Sequence, residues 1–126
     1  MRKIFLFLAI SPLLFLTSCS DDDCIDEVLG TYVGTESCPG VVNNLTIVVG
    51  TSSVEDRVVL SVSGTTLTFN GDLSADCGAI TIPNQNISLN GLPGNIDGTF
   101  NVGSNSMTGN LTFSTGGNCS YNLTRQ

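Results

Sequence analysis

The sequence contains no histidine and no tryptophan, and its 126 residues include only four lysines and arginines against 11 aspartates and glutamates. Histidine is the side chain that most often acts as a general acid or base near neutral pH, and it is the commonest metal ligand. Its absence therefore removes the most frequent catalytic and metal-binding chemistry. The acidic excess argues against nucleic-acid binding, because lysine and arginine at the phosphates supply most of that affinity.

Long apolar runs are also missing. The most apolar stretch, from Ile4 to Leu16, is interrupted by Ser11 and Pro12 and is shorter than the roughly 20 residues that a membrane-spanning helix needs. It follows two basic residues and is followed by small ones, which is the arrangement of a secretory signal peptide. We therefore expect residues 1-18 to be removed on export.

The exported chain would keep Arg57 and Arg125 as its basic residues and would carry a formal charge of −9. It would have no lysine for covalent catalysis. Carboxylates would remain as acid–base candidates, but half of those considered stand beside glycine or serine, and aspartate is itself a common turn former. We therefore expect no enzymatic activity; the carboxylates considered are Glu36, Glu55, Asp56, Asp72, Asp76 and Asp97.

Leu16, Thr17, Ser18 and Cys19 resemble a bacterial lipobox. The resemblance implies that a lipoprotein signal peptidase cuts before Cys19 and that this cysteine carries acyl chains such as palmitate. Acyl chains insert into a membrane directly, so the protein would be a membrane-anchored lipoprotein. The alternative is an ordinary export signal with Cys19 as a structural thiol.

The residues after the lipobox, Ser20, Asp21, Asp22 and Asp23, resemble the short acidic export signal of Bacteroidota-type surface lipoproteins. This resemblance implies an outer-membrane lipoprotein that faces the cell exterior. A solvated acidic linker explains the same residues, because like charges repel and extend a chain. In that case the periplasmic face of the outer membrane is the alternative location.

The rest of the chain alternates apolar and polar residues between turn-forming dipeptides, which predicts an all-β domain. Short connections favour an eight-stranded antiparallel up-and-down barrel, because closure removes exposed edges; a β-sandwich is the alternative. We expect a lipidated acidic tether over 19-29 and the barrel domain over 30-126. The predicted strands are 31-37, 43-50, 56-63, 65-73, 79-89, 95-102, 106-114 and 118-125.

Three local features refine this prediction. Ser63 and Gly64 are typical of a two-residue hairpin turn. The inward phase of the strand pattern changes near Pro83, which predicts a β-bulge. Asn70 and Gly71 normally indicate a turn, but the alternation continues through them, so we expect a strand there.

Four cysteines remain in addition to Cys19, and they are expected to form disulfides in an exported domain. No CxxC spacing occurs, so we predict no metal site and no other cofactor. The alternating direction of the strands places Cys38 and Cys119 at one end of the barrel. It places Cys24 and Cys77 at the other end. The alternating strand direction therefore favours one disulfide between Cys38 and Cys119 and another between Cys24 and Cys77.

Gly30 and Tyr32 at the start of the first strand, with Arg125 near the end of the last, resemble the lipocalin-like (calycin-like) pattern. In that pattern a G-x-W motif opens the first strand and a basic residue lies over the aromatic ring. The resemblance implies a structural role in barrel closure through a cation-π contact. The chain departs from the pattern in having Tyr for Trp and no C-terminal helix, and its lack of tryptophan does not support biotin binding.

Two functions remain open at this point. A lipocalin-like barrel of this kind binds a small apolar ligand in its mouth, or it is filled solid by side chains. We expect any pocket to be small or to lie at the rim away from the tether, because many large residues point inward: Ile47, Leu60, Phe69, Ile82, Phe100, Leu111, Phe113 and Leu123. The alternative is a non-enzymatic surface interaction or structural lipoprotein that meets a protein partner through loops such as 37-43 and 50-56.

Overall fold

The computed structural model describes residues 22-126 with the exception of Gly116, and the side chains of residues 22-24 are not described. A short helix, α1, precedes eight strands. Each strand pairs antiparallel with the next, and β8 pairs with β1, so the sheet is a closed barrel. This confirms the predicted up-and-down barrel and excludes the sandwich. The elements are α1 (Asp22–Val28), β1 (Gly30–Cys38), β2 (Val41–Thr51), β3 (Arg57–Val62), β4 (Thr68–Leu73), β5 (Ala79–Leu89), β6 (Leu92–Val102), β7 (Ser106–Phe113) and β8 (Gly117–Arg125).

The two ends of the barrel differ. The closed end contains α1, the start of β1, the end of β8 and the loops 52-56, 74-78 and 103-105. The mouth is the opposite end, where hairpins join β1 to β2, β3 to β4, β5 to β6 and β7 to β8. The core lies between them, and it contains seven of the eight large side chains predicted to point inward, while Phe113 is half-buried.

The helix α1 was not predicted from the sequence, which assigned residues 19-29 to a tether. With seven residues, α1 is too short for a hydrophobic period to be read, and an isolated helix of this length is unstable in water. Tertiary contacts hold it in place. Val28 is fully buried in the core, and the Tyr32 hydroxyl donates a hydrogen bond of 2.8 Å to the Val28 carbonyl.

Two hairpins at the mouth are longer than predicted. β1 and β2 continue to the Cys38–Val41 pair, and β5 and β6 continue to the Leu89–Leu92 pair. Asn90 and Gly91 both have positive φ angles, of 52° and 83°, as a tight two-residue hairpin requires. These extensions raise the barrel wall on two opposite sides of the mouth.

The predicted two-residue turn at Ser63 and Gly64 is wrong, because β3 ends at Val62 and β4 begins at Thr68. The loop is longer since Leu67 turns back into the core, where it is buried. The Thr65 hydroxyl donates to the Val62 carbonyl and accepts from the Leu67 amide. The loop is thereby held over one side of the mouth.

The predicted bulge is confirmed, because the β5–β6 register shifts between Ile82 and Gln85. The bulge leaves β4 and β5 with only a short stretch of main-chain pairing. The side-chain amide of Gln85 bridges this gap. It accepts a hydrogen bond from the main-chain N–H of Asn70 and donates one to the main-chain carbonyl of Asn70, each with a length of 2.9 Å. Asn70 and Gly71 lie within β4 and do not form a turn, as predicted.

Candidate binding site at the barrel mouth

A cavity of about 530 Å³ opens at the mouth of the barrel. The lower half of the barrel is filled by buried aliphatic and aromatic side chains, whereas the inward positions near the mouth are only partly covered. This places the cavity at the rim away from α1, where the sequence predicted a pocket. A second cavity, of about 510 Å³, lies at the closed end beside Val28, Cys77 and Arg125, and the sequence did not predict it. The apolar lining of the mouth cavity includes Leu45, Ile47, Val62, Leu67, Phe69, Leu89, Leu111 and Phe113.

Glu36 and Tyr121 form a polar pair in the wall of this cavity. They are direct cross-strand partners on β1 and β8, and the Tyr121 hydroxyl donates a hydrogen bond of 2.5 Å to the Glu36 carboxylate. The Tyr121 ring packs edge-on against Phe100 with its centroid 5.5 Å away. The pair is therefore held both by the sheet register and by packing from below.

Tyr121 is strongly perturbed by its surroundings. Burial raises the pKa of its hydroxyl above the ordinary value, and the hydrogen bond to Glu36 and the negative charge of that carboxylate raise the pKa further. Burial also raises the pKa of Tyr32, partly opposed by the positive charge of Arg125. The folded protein thus keeps both phenols neutral.

These shifts predict that neither tyrosine of the folded protein ionises near pH 10, the ordinary value. A raised pKa contributes stability that is complete below that pH and is lost as the pH rises through the folded-state value. We expect tyrosinate absorbance to appear only together with alkaline unfolding. The same titration in denaturant should give ionisation at the ordinary pH, and a folded protein that titrates there would contradict the prediction.

The predicted disulfide between Cys38 and Cys119 is confirmed, and both residues line the cavity beside Glu36. The alternating direction of successive strands predicted this disulfide, because it places both cysteines at the mouth end of the barrel. The ligand atoms of Glu36, Cys38 and Cys119 lie within 4.8 Å of one another. However, the two sulfurs are joined in a disulfide and are not the thiolates that bind metals.

Cys77 is also disulfide-bonded and lies in the 74-78 loop at the closed end. Its predicted partner is Cys24, whose side chain lies outside the described part of the chain. The Cys24–Cys77 pairing therefore stays a prediction. The predicted signal peptide over 1-18, the predicted lipidation site Cys19 and the predicted acidic export signal also fall on residues or side chains outside the described part.

Gly30, Tyr32 and Arg125 meet at the closed end. Tyr32 and Arg125 are direct partners across the β1–β8 seam, and an added Cβ at Gly30 would lie 3.1 Å from the Arg125 guanidinium. Arg125 donates hydrogen bonds to the carbonyls of Glu27 and Leu29. It thus supplies positive charge to the last turn of α1, which has no basic residue of its own, a role that the sequence did not predict.

The other carboxylates considered for catalysis do not line the mouth cavity. Asp72 forms an ion pair with Arg57 at 2.9 Å. Asp76 accepts hydrogen bonds from the main-chain amide of Gly78 and from the Ser74 hydroxyl, and these lower the pKa of its carboxyl. Asp97, Glu55 and Asp56 do not line the cavity either, so the described residues assemble no pair of carboxylates there.

The sequence considered Glu36 only as one of several carboxylates, and it did not identify the pair with Tyr121. A signal for it was present. Glu36 follows Tyr32 and Gly34 at spacings of two and therefore shares their inward phase. Its register with Tyr121 depends on how β1 and β8 close the barrel.

Comparison with known proteins supports the fold. Among solved structures, the chain is similar to a redesigned β-barrel, with a TM-score of 0.62 and 13% sequence identity over 86% of this chain and 97% of that chain. At this identity the likeness shows the fold alone. No protein-family model and no curated protein matches the chain. Within the described residues, no helix is long and apolar enough to cross a membrane.

Proposed function

We propose that the protein is a membrane-anchored, surface-exposed lipoprotein without enzymatic activity, whose lipocalin-like barrel binds a small apolar ligand at its mouth. The observation that carries the proposal is the mouth cavity, which has a largely apolar wall and a volume of about 530 Å³. Pockets for small molecules usually measure roughly 300 to 1,000 Å³ and combine an apolar lining with a few polar groups. The cavity meets both conditions.

The position of α1 supports outward presentation of the mouth. Cys19, the lipidation site inferred from the lipobox, lies three residues before the first residue of α1. Three extended residues span at most about 11 Å, so a lipid on Cys19 would hold the closed end near the membrane. The mouth would then face away from the membrane, toward the medium in which a ligand would be met.

A second candidate function is an interaction with a surface protein through the rim. Apolar side chains are exposed on the two long hairpins, namely Val41 at 51%, Val42 at 67% and Leu92 at 72%. Clustered exposed apolar residues often mark interaction sites. In this alternative the barrel serves as a rigid support for the hairpins.

The ligand-binding proposal predicts that the exported chain binds one molecule of the neutral apolar dye phenylnaphthylamine per barrel, with a rise in dye fluorescence. Leu45 lines the cavity, so Leu45→Trp should fill part of it and weaken binding by about tenfold or more, the effect of losing roughly 1.4 kcal/mol. Val48 is on the outer face of the same strand. Val48→Trp is therefore the matched control, and it should bind the dye as the unmodified chain does.

A second measurement concerns the natural ligand. Native mass spectrometry of the protein extracted from its own host membrane should show an additional small mass on the intact chain. Absence of saturable dye binding, or equal dye affinity of the Leu45→Trp and Val48→Trp variants, would reject the cavity as the site. In that case the exposed rim would become the leading candidate.

A further inference from the structure

The mouth cavity has one charged group among its described lining residues, the carboxylate of Glu36. The remaining polar side chains of the lining are neutral: Asn44, Ser63, Thr65, Thr115 and Tyr121. Neutral hydroxyls and amides both donate and accept hydrogen bonds, so they do not select the sign of a ligand's charge. Glu36 therefore determines that selection.

No arginine of the described chain neutralises this carboxylate. Arg57 pairs with Asp72 on β3 and β4, and Arg125 is bound to the carbonyls of α1 at the closed end. Both basic residues of the exported chain are thus held elsewhere. A positive charge beside Glu36 would have to come from a ligand.

Tyr121 prepares Glu36 to receive such a group. Its hydroxyl donates to one carboxylate oxygen and so fixes the orientation of the carboxylate in the wall. An ionised carboxylate has about four acceptor positions, and one hydrogen bond leaves others available toward the cavity. The site is partly buried, where the reduced dielectric strengthens the attraction of opposite charges.

We infer that the ligand of the mouth is a cationic amphiphile, an apolar body with a protonated amine that donates hydrogen bonds to Glu36. This inference rests on the proposed function, because it concerns the same cavity. The formal charge of −9 on the exported chain acts in the same direction, since a strongly acidic protein attracts cations and repels anions. Fatty acids, which present a carboxylate, would be disfavoured.

The test compares three probes that share one alkyl chain and differ in the headgroup: decylamine, decanol and decanoate. Each competes with phenylnaphthylamine for the exported chain with its disulfides intact, at concentrations below micelle formation. We expect decylamine to bind at least about tenfold more tightly than decanol, as a charge-assisted hydrogen bond provides. Decanoate should bind most weakly.

The variant Glu36→Gln keeps the shape of the side chain and an acceptor for Tyr121 but removes the charge. It should lose most of the preference for decylamine over decanol while retaining dye binding. Glu55→Gln removes the same charge from an exposed loop at the closed end and should keep the preference for decylamine. Thermal unfolding of both variants verifies that each is folded.

The outcomes separate the two proposals. Equal binding of the three probes, or a preference for decanoate, would overturn the cationic assignment while leaving the cavity as an apolar site. A preference for decylamine that persists undiminished in Glu36→Gln would overturn the role of Glu36 and assign the preference to the overall charge. Failure of the dye and all three probes to bind would reject the proposed function itself.

Discussion

Replacement of Gly109 by alanine is expected to destabilise the barrel by about 3 kcal/mol or more, at the upper end of the usual cost of overpacking a core. Gly109 lies on β7 between Phe100 of β6 and Tyr121 of β8, its direct partners in the two ladders. An added Cβ would lie 2.2 Å from the Thr99 carbonyl oxygen and 2.7 Å from the Phe100 Cα. Both are main-chain atoms and do not yield by a change of rotamer.

The reason for this close approach is the curvature of the barrel. A closed sheet of eight strands must coil strongly, and glycine at a bend lets neighbouring backbones approach. The Phe100 ring, which packs edge-on against Tyr121, has its Cδ1 atom 3.0 Å from the position of an added Cβ at residue 109. The substitution therefore also displaces the aromatic pair that lies beneath the mouth.

The measurement is the unfolding free energy in denaturant, supported by the midpoint of thermal unfolding, which falls by about 4–8 °C per kcal/mol in a domain of this size. Gly50→Ala is the matched control. Gly50 lies in β2, where an added Cβ would have the Val59 carbonyl oxygen at 3.9 Å as its neighbour, an ordinary contact. Similar stabilities of the two variants would show that the curvature at Gly109 does not require glycine.

Removal of the Cys38–Cys119 disulfide is expected to lower the stability by roughly 4.5 kcal/mol, the loop-entropy value for a long closed loop. The two cysteines are 81 residues apart, so loss of the bridge gives most of the barrel sequence more conformational freedom in the unfolded state. The bridge also joins the mouth ends of β1 and β8. The closed end of the same seam is held by Arg125, so the seam between the first and last strands is secured at both ends.

The double variant Cys38→Ser with Cys119→Ser isolates this bridge, because chemical reduction would act on the disulfide of Cys77 as well. Denaturant unfolding should show the loss of stability together with a steeper transition slope, because the unfolded chain without the bridge exposes more surface. The dye affinity should fall too, since both cysteines line the cavity. A stability loss below about 1 kcal/mol would contradict the entropic argument and would show that the neighbouring strand pairing already restrains the unfolded chain.

Most of the barrel could be predicted from the sequence because its signals are local. The alternation of apolar and polar residues identifies the buried face of each strand, and short turns make successive strands antiparallel neighbours. The bulge near Pro83 was predicted because the positions of the inward-facing residues shift by one there. The strand through Asn70 and Gly71 was predicted because the apolar–polar alternation continues through this turn-forming dipeptide. The two-residue turn at Ser63 and Gly64 was predicted wrongly. The loop is longer because Leu67 packs into the core, and a turn-forming dipeptide carries no information about such tertiary contacts.

Several other features of the structure are non-local, and the sequence did not reveal them. Helix α1 depends on Arg125 from the far end of the chain, and the gap beside the bulge is bridged by Gln85 through its hydrogen bonds to Asn70. The cavity exists because the upper inward positions are incompletely covered, which depends on wall height and strand coiling. Glu36 and Tyr121 are cross-strand partners only because of the register at which β8 pairs with β1.

The amino-acid sequence by itself determined the strand order, the inward faces and the end of the barrel at which Cys38 and Cys119 meet. These follow from the two-residue period and from the reversal of direction at each turn, both of which are properties of neighbouring residues. Only the tertiary structure decided that the mouth is hollow and that a carboxylate oriented by a buried tyrosine stands in its wall. Closure of the first strand on the last joins residues 85 positions apart, and no local pattern encodes the register at which they meet.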